Sequence, residues 1–211
     1  MRRQRFVGRI AGVGTTSGTR VVVGHWHDTP MGAFSDAMVE TAEGQRVLLA
    51  PRPEVADFIA ATYSFDEVRI EPFTVTATGT TTGTATGTGS ATRWQVRSPS
   101  LTLDLAVGGP TPLGRLLALV PRRLATAPMW CALSDPVARV VLRGVRTRGS
   151  AGGGRREYYG ATGVRRIRSA GGTWQGADLG TLTPVDPPPR FGFSSTPRRP
   201  SVTDVVTTVL G

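Results

Sequence analysis

Alternating hydrophobic and polar positions dominate the first quarter of the chain. β-branched and other apolar residues, with glycines between them, occupy positions 6–13 and 20–26, and a turn-like segment at 15–18 separates the two runs. Two further runs follow at 32–40 and 46–50, and Pro51 ends the second of them. Short alternating runs bounded by turn residues are typical of neighbouring strands. The pattern therefore predicts a hairpin that continues into a four-stranded meander.

Two later segments change to helical spacing, and each has a proline in its first turn. In the first, Val55, Phe58, Ile59 and Tyr63 recur on one face after Pro53. In the second, at 111–120, a threonine in capping position precedes the proline and four apolar residues share a face. A further helix start is predicted at 134–136. The chain is thus expected to contain two or three short helices.

The rest of the chain reads mainly as strands and loops. Strand character returns at 67–73, 93–107, 157–167 and 172–182. Residues 74–90 form a Thr/Gly-rich strand or loop, 143–156 a basic glycine loop, and 186–201 an irregular Pro-rich stretch that leads to an apolar end at 202–210. No repeat or linker separates these pieces. We predict one α+β domain over 1–211: a mainly antiparallel β-barrel or strongly curved sheet with two or three short helices.

The composition removes several classes of chemistry. The chain has 25 cationic against 15 acidic residues, a net charge of +10, and every cation is arginine. Without lysine, Schiff-base catalysis and a P-loop are excluded. The single cysteine, Cys131, excludes an intrachain disulfide and Cys-based zinc spacing. No apolar run approaches the roughly 18 residues of a membrane span. We expect a cytoplasmic protein that does not enter a membrane.

The positive charge suggests a polyanion as an alternative partner. A basic module could bind nucleic acid through the Arg143–Arg168 region, but the arginines are scattered and no aromatic residues interleave with them, which disfavours this function. Within the glycine loop, arginine side chains and exposed backbone amides could hold a phosphate, but the sequence lacks a P-loop ending and favours a solvated hairpin loop. The candidate anion-binding residues are Arg146, Arg148, Arg155 and Arg156.

The only two histidines, His25 and His27, lie on either side of Trp26. On a strand both imidazoles point to the same face, the geometry for a shared metal or a ligand carboxylate. Asp36 and Glu40 could join them if the neighbouring strand folds back beside them. The alternative is two histidines at a strand end whose ring nitrogens bind solvent or nearby polar groups, so no metal is favoured and no cofactor is expected.

A second polar pair lies near the C-terminal end. Glu157 and Tyr159 are two positions apart on a predicted strand, so both could face the interior of a barrel. Aromatic residues near the candidate polar groups are expected to contact a ligand. The candidate ligand-binding residues are Trp26, Phe34, Tyr159 and Trp174, and the candidate catalytic residues are His25, His27, Asp36 and Glu157.

The order of these pieces resembles a known family. A strand ending at 27–30 and followed by 31–36, which enters the next strand, resembles the N-terminal half of acetoacetate decarboxylase-like barrels. Segments 119–121, 156–164 and 173–176, the last leading to 184–185, look like the C-terminal half of that family. The resemblance implies a barrel fold. Because the family's paired catalytic lysines have no counterpart here, Schiff-base decarboxylation is excluded.

Together these observations predict a protein that binds a small organic molecule in a β-barrel cavity. Such cavities are mostly apolar with a few placed polar groups, here expected from the two histidines, Asp36, Glu157 and Tyr159. A lysine-independent enzyme would use a histidine or a carboxylate as acid or base, with no particular reaction indicated. The alternatives are the nucleic-acid-binding module and a structural or interaction protein without a pocket. The oligomeric state is open.

Overall fold

One mixed sheet dominates the computed structural model, which describes residues 3–79, 92–126, 129, 148–150, 156–192 and 196–211. The strands are β1 (Arg3–Thr15), β2 (Arg20–Asp28), β3 (Phe34–Glu40), β4 (Arg46–Ala50), β5 (Glu67–Ile70), β6 (Thr74–Thr78), β7 (Thr92–Arg97), β8 (Leu101–Pro110), β9 (Arg148–Ser150), β10 (Arg156–Trp174), β11 (Ala177–Asp178), β12 (Leu182–Thr183) and β13 (Ser201–Leu210). The helices are α1 (Pro53–Ala60), α2 (Pro112–Ala118) and α3 (Arg122–Ala125).

The strand order is β5-β4-β3-β2-β1-β13-β10-β8-β7-β6, with β9 and β11 paired to β10 and β12 paired to β1. The described pairs are antiparallel except β4 and β5, which α1 connects as a crossover. The sheet curls into a half-barrel with three short helices in the described part of the chain. The predicted α+β fold with a strongly curved, mainly antiparallel sheet is confirmed.

The predicted meander and the first two predicted helix starts are also present. Strands β1 to β4 pair in chain order at the predicted positions. Helix α1 begins at Pro53, and α2 follows Thr111, whose Oγ1 accepts a hydrogen bond from the Gly114 amide at 3.0 Å. None of the described helices has the length and apolar character needed to cross a bilayer.

The C-terminal half differs from the sequence prediction in two places. Strand β10 runs for 19 residues through a region predicted as two strands, and shifts in its pairing register let it bend with the sheet. Strand β13, in a segment for which no strand was predicted, lies between β1 and β10 and joins the two halves of the sheet. Both features depend on pairing between residues far apart in sequence.

Some predicted features fall outside the described residues. They include the helix start at 134–136, Cys131, the Thr/Gly-rich segment beyond Gly79 and most of the basic glycine loop. The described part of the predicted Thr/Gly-rich region is β6 and the glycine that follows it. The Pro-rich stretch is described at 186–192 and 196–200, where it forms no strand or helix before β13 begins.

The first half of the sheet is covered on both faces. A concave cluster of apolar side chains from β1 to β4 packs against β7 and β8, and the His25 ring lies 5.8 Å from the Trp94 ring although β2 and β7 are far apart in the sheet. On the opposite face α1 covers a helix-side cluster that includes Phe6, Phe34 and Val209. Side chains from alternate positions of one strand therefore belong to different clusters.

Candidate functional site

A pocket lies between α1 and the helix-side face of the sheet. Its cavity volume is about 70 Å³, and it is partly open to solvent. Most of its lining is apolar or aromatic, with a few polar groups among them, as in small-molecule sites. The lining residues are Phe6, Ile10, Val22, Gly24, Trp26, Phe34, Asp36, Met38, Phe58, Ile59, Thr62, Tyr63, Glu157, Tyr159 and Thr207.

Strand alternation directs the Asp36 side chain into the pocket. Asp36 on β3 shares the helix-side face with Trp26 on β2, and it pairs across the strands with Gly24. A Cβ atom at Gly24 would overlap the Asp36 Oδ1 and Trp26 Nε1 atoms. The glycine therefore leaves the space in which the indole and the carboxyl meet, because a larger residue would separate them.

The Asp36 carboxyl is buried in apolar surroundings. Its exposed fraction is 4%, and the Trp26 indole donates a hydrogen bond from Nε1 to Oδ1 at 2.9 Å. Burial raises the pKa of Asp36 to about 7, because the charged form is desolvated, and the Trp26 hydrogen bond opposes this effect only in part. At neutral pH the carboxyl is therefore poised between its charged and neutral forms.

A second polar group consists of two tyrosines and a glutamate. Tyr159 donates its hydroxyl proton to Glu157 Oε2 at 2.8 Å, and Thr62 donates to Glu157 Oε1 at 3.3 Å. The Tyr63 and Tyr159 hydroxyls are hydrogen-bonded to each other. Because the Tyr159 proton is directed at Glu157, Tyr63 must be the donor in that bond. The protons thus run in one direction, from Tyr63 through Tyr159 to Glu157.

Burial keeps the hydroxyls of Tyr63 and Tyr159 protonated. It raises the pKa of Tyr63 and of Tyr159 above the usual tyrosine range, and the nearby Glu157 carboxyl adds to both shifts. Glu157 itself is only 3% exposed. Strand β10 supplies Glu157 and Tyr159, whereas Thr62 and Tyr63 follow α1, where the Tyr63 amide still bonds the Ile59 carbonyl at 3.0 Å.

The third polar element is Thr207 on β13. It lies between Phe6 of β1 and Tyr159 of β10 in the cross-strand register, and its exposed fraction is 5%. Within the described residues its Oγ1 has no hydrogen-bond partner, although it lines the pocket. A buried hydroxyl without a partner is costly unless something else fills its hydrogen bonds.

The structure brings five of the predicted site residues together in this pocket: Trp26, Phe34, Asp36, Glu157 and Tyr159. They come from three strands, of which β10 is far from β2 and β3 in sequence. The predicted catalytic carboxyls thus share one cavity, on the face opposite the concave cluster.

Three other predicted residues lie elsewhere. The His25 ring faces the concave side, where its Nδ1 lies 2.8 Å from Ser35 Oγ, and His27 is exposed. Burial lowers the pKa of His25, and the charges of Arg9 and His27 lower it further. Trp174 belongs to the concave cluster, with the Arg69 guanidinium carbon 5.4 Å from its ring centre.

The described residues give little support to the candidate anion and metal sites. Arg148 lies in β9 and Arg156 is exposed at the start of β10, whereas Arg146 and Arg155 lie outside the described residues. In the part of the chain that the structure describes, no three His, Cys, Asp or Glu side chains are grouped so that they could hold a metal ion.

Sequence reasoning missed Gly24, Thr62, Tyr63 and Thr207 as members of this site. Tyr63 was assigned to the apolar helical face, and Thr207 is one threonine in an apolar C-terminal segment. The single signal available was a glycine within a β-branched run, which is typical of close approach by another group. Comparison with family models, curated proteins and solved structures finds no match for this chain.

Proposed function

We propose that the helix-side pocket binds a small organic molecule. The observation that supports this most strongly is the convergence of Asp36, Glu157, Tyr159 and Thr207, contributed by β3, β10 and β13, on one apolar cavity. Buried carboxyls and an unsatisfied hydroxyl cost folding free energy, so their collection in one cavity favours a role in ligand binding. The proposed ligand would lie between the sheet and α1.

A second candidate function is lysine-independent acid–base catalysis on the bound molecule. Asp36 favours it, because a carboxyl whose pKa is about 7 exchanges protons readily at neutral pH. In this proposal Asp36 is the acid or base, and the Tyr63–Tyr159–Glu157 chain orients the ligand. The resemblance to acetoacetate decarboxylase-like barrels, the cytoplasmic location and the polyanion-binding alternative stay predictions from the sequence.

The test is a ligand screen on a matched pair of variants. Neutral, acidic and basic small molecules are added to the wild type, and the melting temperature and native mass are recorded. Gly24→Ala places a methyl group against Asp36 and Trp26, whereas Gly171→Ala, on β10, meets no atom within 4 Å. We expect bound compounds to stabilise the wild type and Gly171→Ala but not Gly24→Ala. Absence of any bound compound, or equal binding by Gly24→Ala, would overturn the proposal.

A further inference from the structure

Two polar groups of the pocket can accept hydrogen bonds from a ligand. Asp36 offers a carboxylate when ionised, and the Thr207 hydroxyl has no partner among the described residues. A ligand that donates several hydrogen bonds from one atom can bind the Asp36 carboxylate and the Thr207 hydroxyl together.

The charge around Asp36 favours a cation. Every one of the chain's 25 basic residues is an arginine, yet none is among the described residues that line the pocket. Arg52 contacts one lining residue: its guanidinium carbon lies 5.9 Å from the Phe34 ring centre, and the guanidinium bonds the Met31 carbonyl. Within the described residues, Asp36 receives one side-chain hydrogen bond, from the neutral Trp26 indole.

The walls of the pocket are rich in aromatic rings. Six aromatic side chains line it: Phe6, Trp26, Phe34, Phe58, Tyr63 and Tyr159. Aromatic faces attract ammonium groups through their quadrupole, an effect that grows when the cation is desolvated. An aromatic wall beside a carboxylate is therefore suited to a positively charged nitrogen that carries an apolar substituent.

We propose that the pocket binds a small organic amine as its ammonium ion, with the N–H groups directed at Asp36 and Thr207 and the carbon skeleton against the aromatic rings. This inference rests on the proposed function. The cavity of about 70 Å³ is about half of the roughly 150 Å³ apolar cavity that accommodates benzene. The enclosed part of the ligand is accordingly short, and a longer substituent would extend through the open side.

Binding of an ammonium ion should release a proton. Below pH 7 the buried Asp36 carboxyl is mostly protonated, and a cation favours its ionised form. The other titratable groups in the pocket are Tyr63, Glu157 and Tyr159, and the two phenols stay protonated well above neutrality. His25 faces the opposite side of the sheet. Amine affinity should therefore rise with pH from 5.5 to 7.5.

The experiment compares three probes with similar short carbon chains: butylamine, 1-butanol and butyrate. Binding to the full chain is measured by calorimetry and by the shift of the Trp26 indole N–H resonance, assigned with Trp26→Phe. We expect butylamine to bind at least tenfold more tightly than 1-butanol and butyrate not to bind. Asp36→Asn should remove the preference for the amine. The matched control is Asp57→Asn, which alters an exposed carboxylate on α1 and should retain the preference.

A second measurement on the wild type covers the case in which Asp36→Asn fails to fold. At pH 6, butylamine binding in buffers of different ionisation enthalpy should release close to one proton, and 1-butanol binding should release none. Equal affinity for amine and alcohol, or amine binding without proton release, overturns the amine inference while the proposed function stands. Failure of all three probes to bind overturns the amine inference, and the broader ligand screen then decides the proposed function separately.

Discussion

Strand β3 carries two buried acids on the same face, and their surroundings differ completely. At one end, which we call the ion-pair end, Glu40 is fully buried and accepts hydrogen bonds from Arg20 Nη2 at 3.3 Å and from Arg190 Nε at 3.1 Å. At the other, the pocket end, Asp36 is almost as buried but receives a side-chain hydrogen bond only from Trp26 within the described residues.

The difference separates a structural acid from a candidate functional one. The Glu40 carboxylate also accepts from the Arg190 amide at 2.6 Å, so it ties the Pro-rich segment to the sheet. Among the described residues Asp36 holds no such segment, and its burial disfavours its charged form. A fold with 25 arginines that buries one of these acids beside an apolar cavity keeps that acid at a cost in stability, which favours a role in binding.

The largest effect is expected at the ion-pair end. Glu40→Ala leaves the Arg20 guanidinium buried without its acid, and we expect a loss of about 3–5 kcal/mol in unfolding free energy, measured by urea denaturation at pH 7. Asp66→Ala removes a partner of Arg46 that lies at the surface, so its loss should be clearly smaller than that of Glu40→Ala. Similar small losses in both variants would remove the distinction between the two ends of β3.

The stability that Asp36 contributes at the pocket end should fall as the pH rises. Because the folded-state pKa of Asp36, about 7, exceeds its ordinary value of 3.8, the folded protein holds a proton that the unfolded chain releases. The stabilising contribution of Asp36 is complete below pH 3.8 and is lost as the pH rises to 7, by roughly 4 kcal/mol.

Asp36→Asn removes this titration. Relative to the wild type it should therefore gain unfolding free energy between pH 4 and pH 8, by up to roughly 4 kcal/mol. Urea denaturation of both proteins at pH 4, 6 and 8 measures the difference. Asp57→Asn, on the exposed side of α1, is the control and should follow the wild type throughout. Parallel pH profiles for wild type and Asp36→Asn would contradict the assignment of a raised pKa to Asp36.

These two ends also show how far the sequence alone could lead. Alternation and turn residues predicted β1 to β4, and proline and periodicity predicted α1 and α2, because those signals are local. Asp36 and Glu157 were identified as candidates by residue type. Their shared cavity depends on β13, which pairs with β1 on one side and with β10 on the other. Strands β1 and β13 lie at opposite ends of the sequence. Local patterns carry no information about such pairing.

The histidines show the same limit of prediction from local patterns. His25 and His27 were predicted to share a face, and the His25 ring faces the concave cluster, whereas Trp26 between them faces the pocket. Alternation predicts which residues share a face but leaves open which face receives α1. That choice follows from the packing of Val55 and Ile59 against Leu48, a contact that the sequence pattern did not specify.

A smaller effect is expected from the tyrosine chain at the pocket end. Tyr159→Phe removes the donor to Glu157 Oε2 and the acceptor of the Tyr63 proton, so we expect a loss of about 1–3 kcal/mol in unfolding free energy. Tyr63→Phe removes the hydroxyl that donates to Tyr159 and should cost about 1 kcal/mol. Urea denaturation of the two variants ranks them. A larger loss for Tyr63→Phe would contradict the inferred direction of the protons.

The smallest effect on stability is expected at two threonines of β13, which also test whether a buried hydroxyl binds the ligand. Thr207 and Thr208 are adjacent on β13, on opposite faces of the sheet, and within the described residues neither buried Oγ1 has a hydrogen-bond partner. Replacing either by valine removes an unsatisfied hydroxyl, so unfolding free energy should stay level or rise by about 1 kcal/mol in both. Only Thr207→Val removes a polar atom from the pocket, and it alone should weaken butylamine binding, by about fivefold if one hydrogen bond worth about 1 kcal/mol is lost. Calorimetric titration of both variants measures this. Equal amine affinity in the two variants would show that the Thr207 hydroxyl does not bind the amine. Like the Thr208 hydroxyl, it would then be an unsatisfied group that only lowers stability.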